Sequence, residues 1–244
     1  MNYELDLHTH TIASGHAYST IREMTASAKL KGLKLLGITE HAPAMPGTCH
    51  EFYFQNFRVF DRNAYDVPVL FGAELNILDE NGSVDMTPEL LETMDIAIAS
   101  IHPPCVHFMN EKETTNTLLS IMKNPHVQII GHPDDSRFPI NYDELARAAK
   151  DTNTLLEVNN SSLRADSYRP GAKENYKRML DACVKYNTPI ILDSDAHIDK
   201  DVAFRKYSTA LVEELQFPES LIINTNVNKL TKYLSCDTIN LLKL

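Results

Sequence analysis

Cysteine is scarce in this sequence. Cys49, Cys105, Cys183 and Cys236 are spread through 244 residues and form no C-x-x-C pair. They read as reduced thiols of a cytoplasmic protein, which excludes a disulfide framework. Positive charge is also short: 23 Lys and Arg stand against 33 Asp and Glu, for a net charge of −10 and a pI of about 5.4. No run of Lys and Arg offers a face that could track a phosphate backbone, so nucleic acid is a poor fit as the main partner. No apolar run approaches the ~18 residues of a membrane span. The opening Met1-Asn2-Tyr3-Glu4 lacks the basic and apolar regions of a signal peptide. Low-complexity segments and fixed-period repeats are missing too. No glycine-rich turn follows the first apolar run, which disfavours dinucleotide binding.

What the chain does have is a repeated alternation. Short aliphatic runs occur at Leu5–Leu7, Leu35–Thr39, Val69–Ala73, Ile96–Ser100, Val127–Gly131, Leu155–Val158 and Pro189–Leu192. Their length and content suit strands buried on both faces of a parallel sheet. Helical patterns lie between them. One starts at Thr20, where Thr20 and Glu23 make a capping box, and stops at Gly32. Others are expected around 112–123, 143–150, 172–186, 201–215 and 226–234. Strand–helix alternation means α/β, either a closed barrel or a doubly wound sheet. Seven strand candidates favour a distorted or seven-stranded barrel, and no linker divides residues 1–244, so a single domain is expected. Segments 42–50 and 75–88 read as insertions on one face.

The residues that follow the runs share a rule. His8 and His10 follow the first run, Glu40-His41 the second, Glu74 the third, His102 the fourth and His132 the fifth. The seventh leads into Asp193-Ser194-Asp195-Ala196-His197, and His16 lies in the loop after the first pair. Seven of the ten histidines therefore sit at or just past strand C-termini, where barrel enzymes carry their chemistry. Scattered structural histidines would not concentrate there. Imidazole plus carboxylate is a ligand set for zinc, iron or manganese rather than calcium. Seven histidines with two carboxylates exceed the needs of one ion and suffice for two or three. His50, His107 and His126 do not follow the rule and read as surface or loop residues.

In these stretches the chain resembles the PHP (polymerase and histidinol phosphatase) family, and within it the YcdX-type phosphatases. The resemblance runs through Asp6-Leu7-His8-Thr9-His10, Ser14-Gly15-His16, Thr39-Glu40-His41, Gly72-Ala73-Glu74, Ser100-Ile101-His102, Gly131-His132-Pro133, Glu157-Val158-Asn159-Asn160 and Asp193-Ser194-Asp195-Ala196-His197. It implies a distorted TIM-like (β/α)7 barrel with the site at the C-terminal strand ends, about three divalent ions and phosphoester hydrolysis. Zinc is the first expectation, with manganese or iron as alternatives. Carried over by position, one ion would be held by His8, His10, Glu74 and Asp195. A second would be held by Glu74 (bridging), His102 and His132, and a third by His16, His41 and His197.

Such a cluster lowers the pKa of bound water and neutralises phosphate oxygens, so metal-bound hydroxide is the expected nucleophile and no separate base is required. Metal-bound water, Asp195 or a neighbouring acid could protonate the leaving group. Arg164 and Arg169 follow the sixth run on the same face and are candidate phosphate clamps. Tyr18 and Arg22 are weaker candidates. Asp6, Glu40 and Asp193 are candidate hydrogen-bond partners of ligand histidines. Cys49 and Cys105 are expected to be inert. The expected substrate is a small phosphate ester. Histidinol phosphate is one guess, and an exonuclease, a phosphodiesterase or a metal-binding barrel without turnover are the alternatives. Loops 42–60 and 103–115 should set specificity: Phe52, Tyr53, Phe54, Phe57, His107 and Phe108 could line a pocket or simply pack. An oligomer is compatible with the sequence.

Overall fold

The computed structural model describes residues 1–242. Seven parallel strands lie side by side in chain order: β1 (Leu5–Asp6), β2 (Leu35–His41), β3 (Val69–Asn76), β4 (Ile96–Ser100), β5 (Ile129–Ile130), β6 (Leu155–Asn159) and β7 (Ile190–Asp193). Helices α1 (Ile21–Leu30), α2 (Glu51–Gln55), α3 (Pro88–Leu91), α4 (Glu111–Ile121), α5 (Tyr142–Thr152), α6 (Ala172–Tyr186) and α7 (Lys206–Glu214) connect or follow them, and α8 (Cys236–Leu242) comes last. The result is the α/β TIM-like barrel anticipated above. The Thr20–Glu23 capping box opens α1 as expected.

Every residue of β2, β3 and β4 is buried, because both faces of each strand are covered. The alternation of side chains then divides the strands between two cores. Leu36, Ile38, Phe71, Ala73, Ala97, Ala99, Ile130 and Leu156 face outward into a core shared with the helices. Leu35, Leu70, Ile96, Ile98, Ile129, Leu155 and Ile191 face inward. Val227, Leu230, Tyr233 and Leu234 join this inner core and plug the N-terminal end of the barrel.

Moving along an inward row, the chemistry changes. On β3 the row reads Leu70, Gly72, Glu74, Asn76; on β6 it reads Leu155, Glu157, Asn159. The lower layer is aliphatic and the upper layer polar. Between them the barrel is narrow: a Cβ on Gly72 would lie 1.9 Å from the Ile96 carbonyl oxygen, and one on Gly37 would lie 2.6 Å from that of Leu7.

No ladder joins β7 to β1 among the described residues. A single parallel bridge, Thr9 with Ala196, links them near the upper end. Below it side chains replace the ladder. Asn224 donates to the carbonyls of Leu192 (2.7 Å) and Leu5 (3.2 Å) and accepts from Leu192 N (2.7 Å). Arg205 donates to the same two carbonyls. Asp193 accepts from Leu7 N at 2.9 Å, and Asp6 accepts from Ser194 N, Ser194 Oγ and Ala203 N.

Several boundaries differ from expectation. β5 shrinks to two paired residues; beside it Gln128 bonds once to Ala97 and once to Leu155 through the backbone, and Gly131 N bonds to Ala99. The helix expected over 201–215 begins at Lys206, after a short 3-10 turn at 199–201. The segment 226–234 is a 3-10 helix over Val227–Tyr233. Residues 75 and 76, read as part of an insertion, continue β3.

Candidate metal centre

The nine expected residues meet in one basin at the upper end of the barrel. Glu74, from the inward row of β3, is at its centre and is 1% exposed. Four atoms form one set, with His41 Nδ1 closing on Glu74 Oε2 at 2.7 Å beside them. Glu74 Oε2 lies 3.3 Å from His8 Nε2 and 3.5 Å from His10 Nε2. Asp195 Oδ1 lies 3.7 and 3.4 Å from the same two nitrogens. Two donors about 2.1 Å from a tetrahedral ion are roughly 3.4 Å apart, so this spacing is that of ligands around one cation. Glu74 Oε1 turns the other way, to His102 Nε2 at 3.1 Å and His132 Nε2 at 2.8 Å. One carboxylate thus serves two groups of imidazoles.

On the third side, the rings of His16 and His41 stack at 4.8 Å, and those of His16 and His197 lie 4.9 Å apart. His10 also reaches this group, 4.2 Å from the His41 ring and 4.4 Å from that of His197. His10, His41 and His197 can bring ligand atoms within 4.8 Å of one another, as can His41, Glu74 and His102.

The buried polar atoms test whether this arrangement fits a cation. His8 Nε2, His10 Nε2, His41 Nδ1 and Glu74 Oε2 are buried and make no well-aligned hydrogen bond, although His41 Nδ1 and Glu74 Oε2 lie 2.7 Å apart. A neutral protein interior does not leave four such atoms facing one another without cost. Divalent ions would satisfy all of them, so the residues fit metal binding.

The outer nitrogens fix which lone pairs face inward. His8 Nδ1 lies 2.7 Å from Glu157 Oε1, which can only accept, so Nδ1 carries the proton and Nε2 faces the basin. His10 Nδ1 is 3.1 Å from Ser14 Oγ, whose own proton goes to Glu40 at 2.6 Å, so His10 Nδ1 donates as well. His197 Nδ1 donates to the Asp195 carbonyl at 3.0 Å.

Burial and the neighbouring charges work against each other at some basin groups and together at others. Burial alone would push His8 down, but Glu157, Glu74 and Asp195 together raise it. Burial alone would raise Glu74 and Asp195, yet the surrounding histidines hold both well below the usual carboxylate range. Burial and the neighbouring His41 and His197 push His10 down, and burial takes His102 down to about 4. Cation binding releases the protons that remain. Two ligands are also held in the left-handed backbone region, His132 at φ 29° and Asp195 at φ 54°. That conformation is unfavourable for these residues and is found where a site over-determines its geometry.

The basin opens into a cavity of about 660 Å³. Met45, Pro103 and Pro104 form one wall, and Arg164, Tyr168 and Arg169 another. Arg169 is buried, donates to Ser162 Oγ (2.8 Å) and Tyr168 OH (3.1 Å), and lies 3.7 Å from Asp195 Oδ2. Arg164 sits at the rim, paired with Asp166 and Asp201. Tyr18 and Arg22 do not line this cavity.

Some expected roles move. Asp6 and Asp193 bond across the β7–β1 seam rather than to ligand histidines. Glu40 reaches His10 only through Ser14. Phe54 and Phe57 pack in the outer core, and Phe52 and Phe108 point to solvent, so the aromatic loop residues do not build the pocket. Cys49 and Cys105 are pushed up to about 11 by burial and stay protonated. Glu157 and Asn76, which hold His8 and His102, received no role from the sequence. Their signal was a polar pair two residues apart in an otherwise apolar strand: Glu157 with Asn159, and Glu74 with Asn76.

Fold and basin together define a β/α barrel built to hold cations between imidazoles and carboxylates. The model of the PHP domain matches residues 6–187, and the chain belongs to that family. A protein of Clostridium novyi that bears the name "probable phosphatase" is 42% identical over 96% of this chain and 95% of its own length. Another of that name, from Acetivibrio thermocellus, is 38% identical over 96% of both chains. Among solved structures, histidinol phosphate phosphatase from Lactococcus lactis, complexed with zinc, L-histidinol and phosphate, superposes with a TM-score of 0.63 at 20% identity. The match covers 88% of this chain and 95% of that one. A chain of an archaeal ribonuclease P with mature tRNA reaches 0.56 at 14% identity, over 99% of this chain and 94% of its own. At these identities the two structures speak for the fold alone.

Proposed function

We propose that the chain is a metal-dependent phosphatase that hydrolyses a small phosphomonoester. The observation that carries this reading is the set of buried, unpartnered ligand atoms facing a cavity that also holds a buried arginine. The relatives named probable phosphatase, each matched over nearly its whole length, support the reaction class.

About three divalent ions, zinc first among the candidates, are proposed. His8, His10, Glu74 and Asp195 would hold one, Glu74, His102 and His132 the second, and His16, His41 and His197 the third. The 3.3–3.7 Å spacing of the first set supports its assignment. His10 lies close enough to the third set to share in it. When bound, such ions polarise phosphoryl oxygens and bring water toward its hydroxide form near neutral pH.

The chain's own groups do the rest. Glu74 fixes the two imidazole groups about a common centre. Arg169, cationic and already oriented by Ser162 and Tyr168, is placed to take a phosphate oxygen. Of the two basin carboxylates, Asp195 also lines the cavity; the histidines keep it ionised, so it has no proton of its own for the departing oxygen and could act there only by accepting one first.

Charge at the cavity argues for a monoester over nucleic acid. Arg137 is bidentate to Asp135, and Arg164 is paired with Asp166 and Asp201. Arg169 is held by two hydroxyls and lies 3.7 Å from Asp195, itself a proposed cation ligand, so the cavity offers a cation to one phosphate and not to a string of them. The test is metal content of purified protein beside phosphate release from an aryl phosphate. Two to three transition metals with chelator-sensitive turnover are expected. A protein that holds the ions yet releases phosphate from no monoester would overturn the activity.

A further inference from the structure

Asp85 lies outside the basin, in the segment that follows β3, and no role above has used it. Its carboxylate is largely enclosed and accepts three hydrogen bonds. Oδ1 takes Asn76 N at 2.9 Å, and Oδ2 takes Asn76 Nδ2 at 2.6 Å and Ala44 N at 2.8 Å. The Asn76 amide also donates to the Ala42 carbonyl at 3.1 Å. Both groups on the Nδ2 side, a carboxylate and a carbonyl, can only accept, so the NH2 of Asn76 must face them. Its Oδ1 is thereby forced to the opposite side, where His102 Nδ1 lies at 2.7 Å. An amide oxygen only accepts, so His102 must carry its proton on Nδ1. The bare Nε2 then points to Glu74 Oε1, 3.1 Å away.

We infer that Asp85 is a positioning residue for the metal centre, which sets the tautomer of His102 through the Asn76 amide and thereby keeps Nε2 free to bind a cation. The same carboxylate, through Ala44 N, ties the 42–50 loop, whose Met45 lines the cavity, to the strand that carries Glu74. One half-buried acid thus holds a ligand imidazole and a cavity wall in a common frame. The inference rests on the metal-centre reading but not on the identity of the substrate.

Asp85→Asn separates this role from simple packing. The variant keeps shape and size but puts an NH2 where the chain offers only donors. Asn76 then loses its carboxylate partner, and its amide is free to turn its NH2 toward His102, which favours the wrong tautomer. Zinc-loaded, full-length protein labelled with 15N at histidine gives the readout. In the wild type, His102 should show a protonated Nδ1 and a zinc-ligated Nε2. In Asp85→Asn that signature should be lost or doubled, and zinc retention against a competing chelator should fall by roughly 10–100-fold. Glu80→Gln, an exposed change in the same segment, should leave both readouts unchanged.

A wild-type His102 with its proton on Nε2 would overturn the inference without any variant, even if Asp85→Asn failed to fold. So would an Asp85→Asn protein with unaltered tautomer and zinc retention. A protein that passes these tests but hydrolyses no phosphate ester would leave the relay standing and remove the phosphatase reading instead.

Discussion

Two regions of this barrel bury charge beside each other with opposite outcomes. The β7–β1 seam packs Asp6, Asp193, Ser194, Arg205 and Asn224 between two strands that share a single bridge. Nearly all of their polar atoms find partners in the chain; Asp193 Oδ2 is the exception, on a carboxyl that burial and the charges of Asp6 and Glu157 raise well above its usual range. The basin packs more donors in as dry a place, yet leaves four ligand atoms unpartnered. The difference lies in what completes each network. The seam is completed by the chain itself and holds the fold together. The basin is left to be completed from outside, as the metal-centre reading proposed above requires.

Breaking each region separately tests that division. The largest effect is expected at Glu74, which both groups of imidazoles share. Glu74→Gln should remove several kcal/mol of transition-state stabilisation, roughly a thousandfold in phosphate release, with a matching loss of bound metal by elemental analysis. The seam should behave otherwise. Asn224→Ala strips partners from Leu192 N and from the carbonyls of Leu192 and Leu5. At ~1–3 kcal/mol for an unsatisfied group, a loss of about 3 kcal/mol and a fall in Tm of roughly 6–12 °C are expected. Turnover per folded molecule should not change, and a calorimetric scan beside a rate measurement separates the two.

Metal removal should be felt next. Ions present at about 100 times their Kd stabilise a protein by about 2.7 kcal/mol, so chelation should lower Tm by roughly 5–10 °C. Asn224→Ala should show the same drop on top of its own, since the seam does not use the ions. The smallest effect concerns pH. Burial takes His102 down to about 4, against an ordinary value of 6.5. Between these values the unfolded chain holds a proton that the folded, metal-free chain does not, so stability falls as pH falls through that window. From pH 7 to 5 the share of this one group is about 2 kcal/mol. Urea unfolding of metal-free wild type and His102→Gln measures it as a difference in slope. Equal slopes would mean that His102 is not held neutral by burial.

Much of the basin was legible because its residues obey one positional rule. Strand runs ending in His or Glu locate the upper end of the barrel, and His8, His41, Glu74, His102 and Asp195 all follow from it. The residues that hold the ligands were harder to read. Asp85 and Ser14 act through side-chain contacts between segments distant in sequence, and no local pattern marks such contacts. Asp6 and Asp193 were misplaced because an acid beside a ligand looks the same in sequence whether it turns to a histidine or across a seam. Asn224, in a 3-10 turn far from any motif, carries no periodic signal. The short β5 and the late start of α7 reflect tertiary pairing and local turns rather than propensity.

The seam also governs the order in which the molecule can be finished. Synthesis delivers β1 first, but one of its two neighbours, β7, and the Asn224 that stands in for their missing ladder come near the last. His8 and His10 likewise wait for Asp195 and His197. While the chain is being made, each new strand can pair with the one before it, but the proposed first cation set cannot assemble until Asp195 exists, nor the ring be joined until Asn224 does. A chain ended before Asp195 would lack the closure and part of the proposed ligand set together, whereas one ended between His197 and Asn224 would keep the ligands and lose only the side chain that stands in for the ladder.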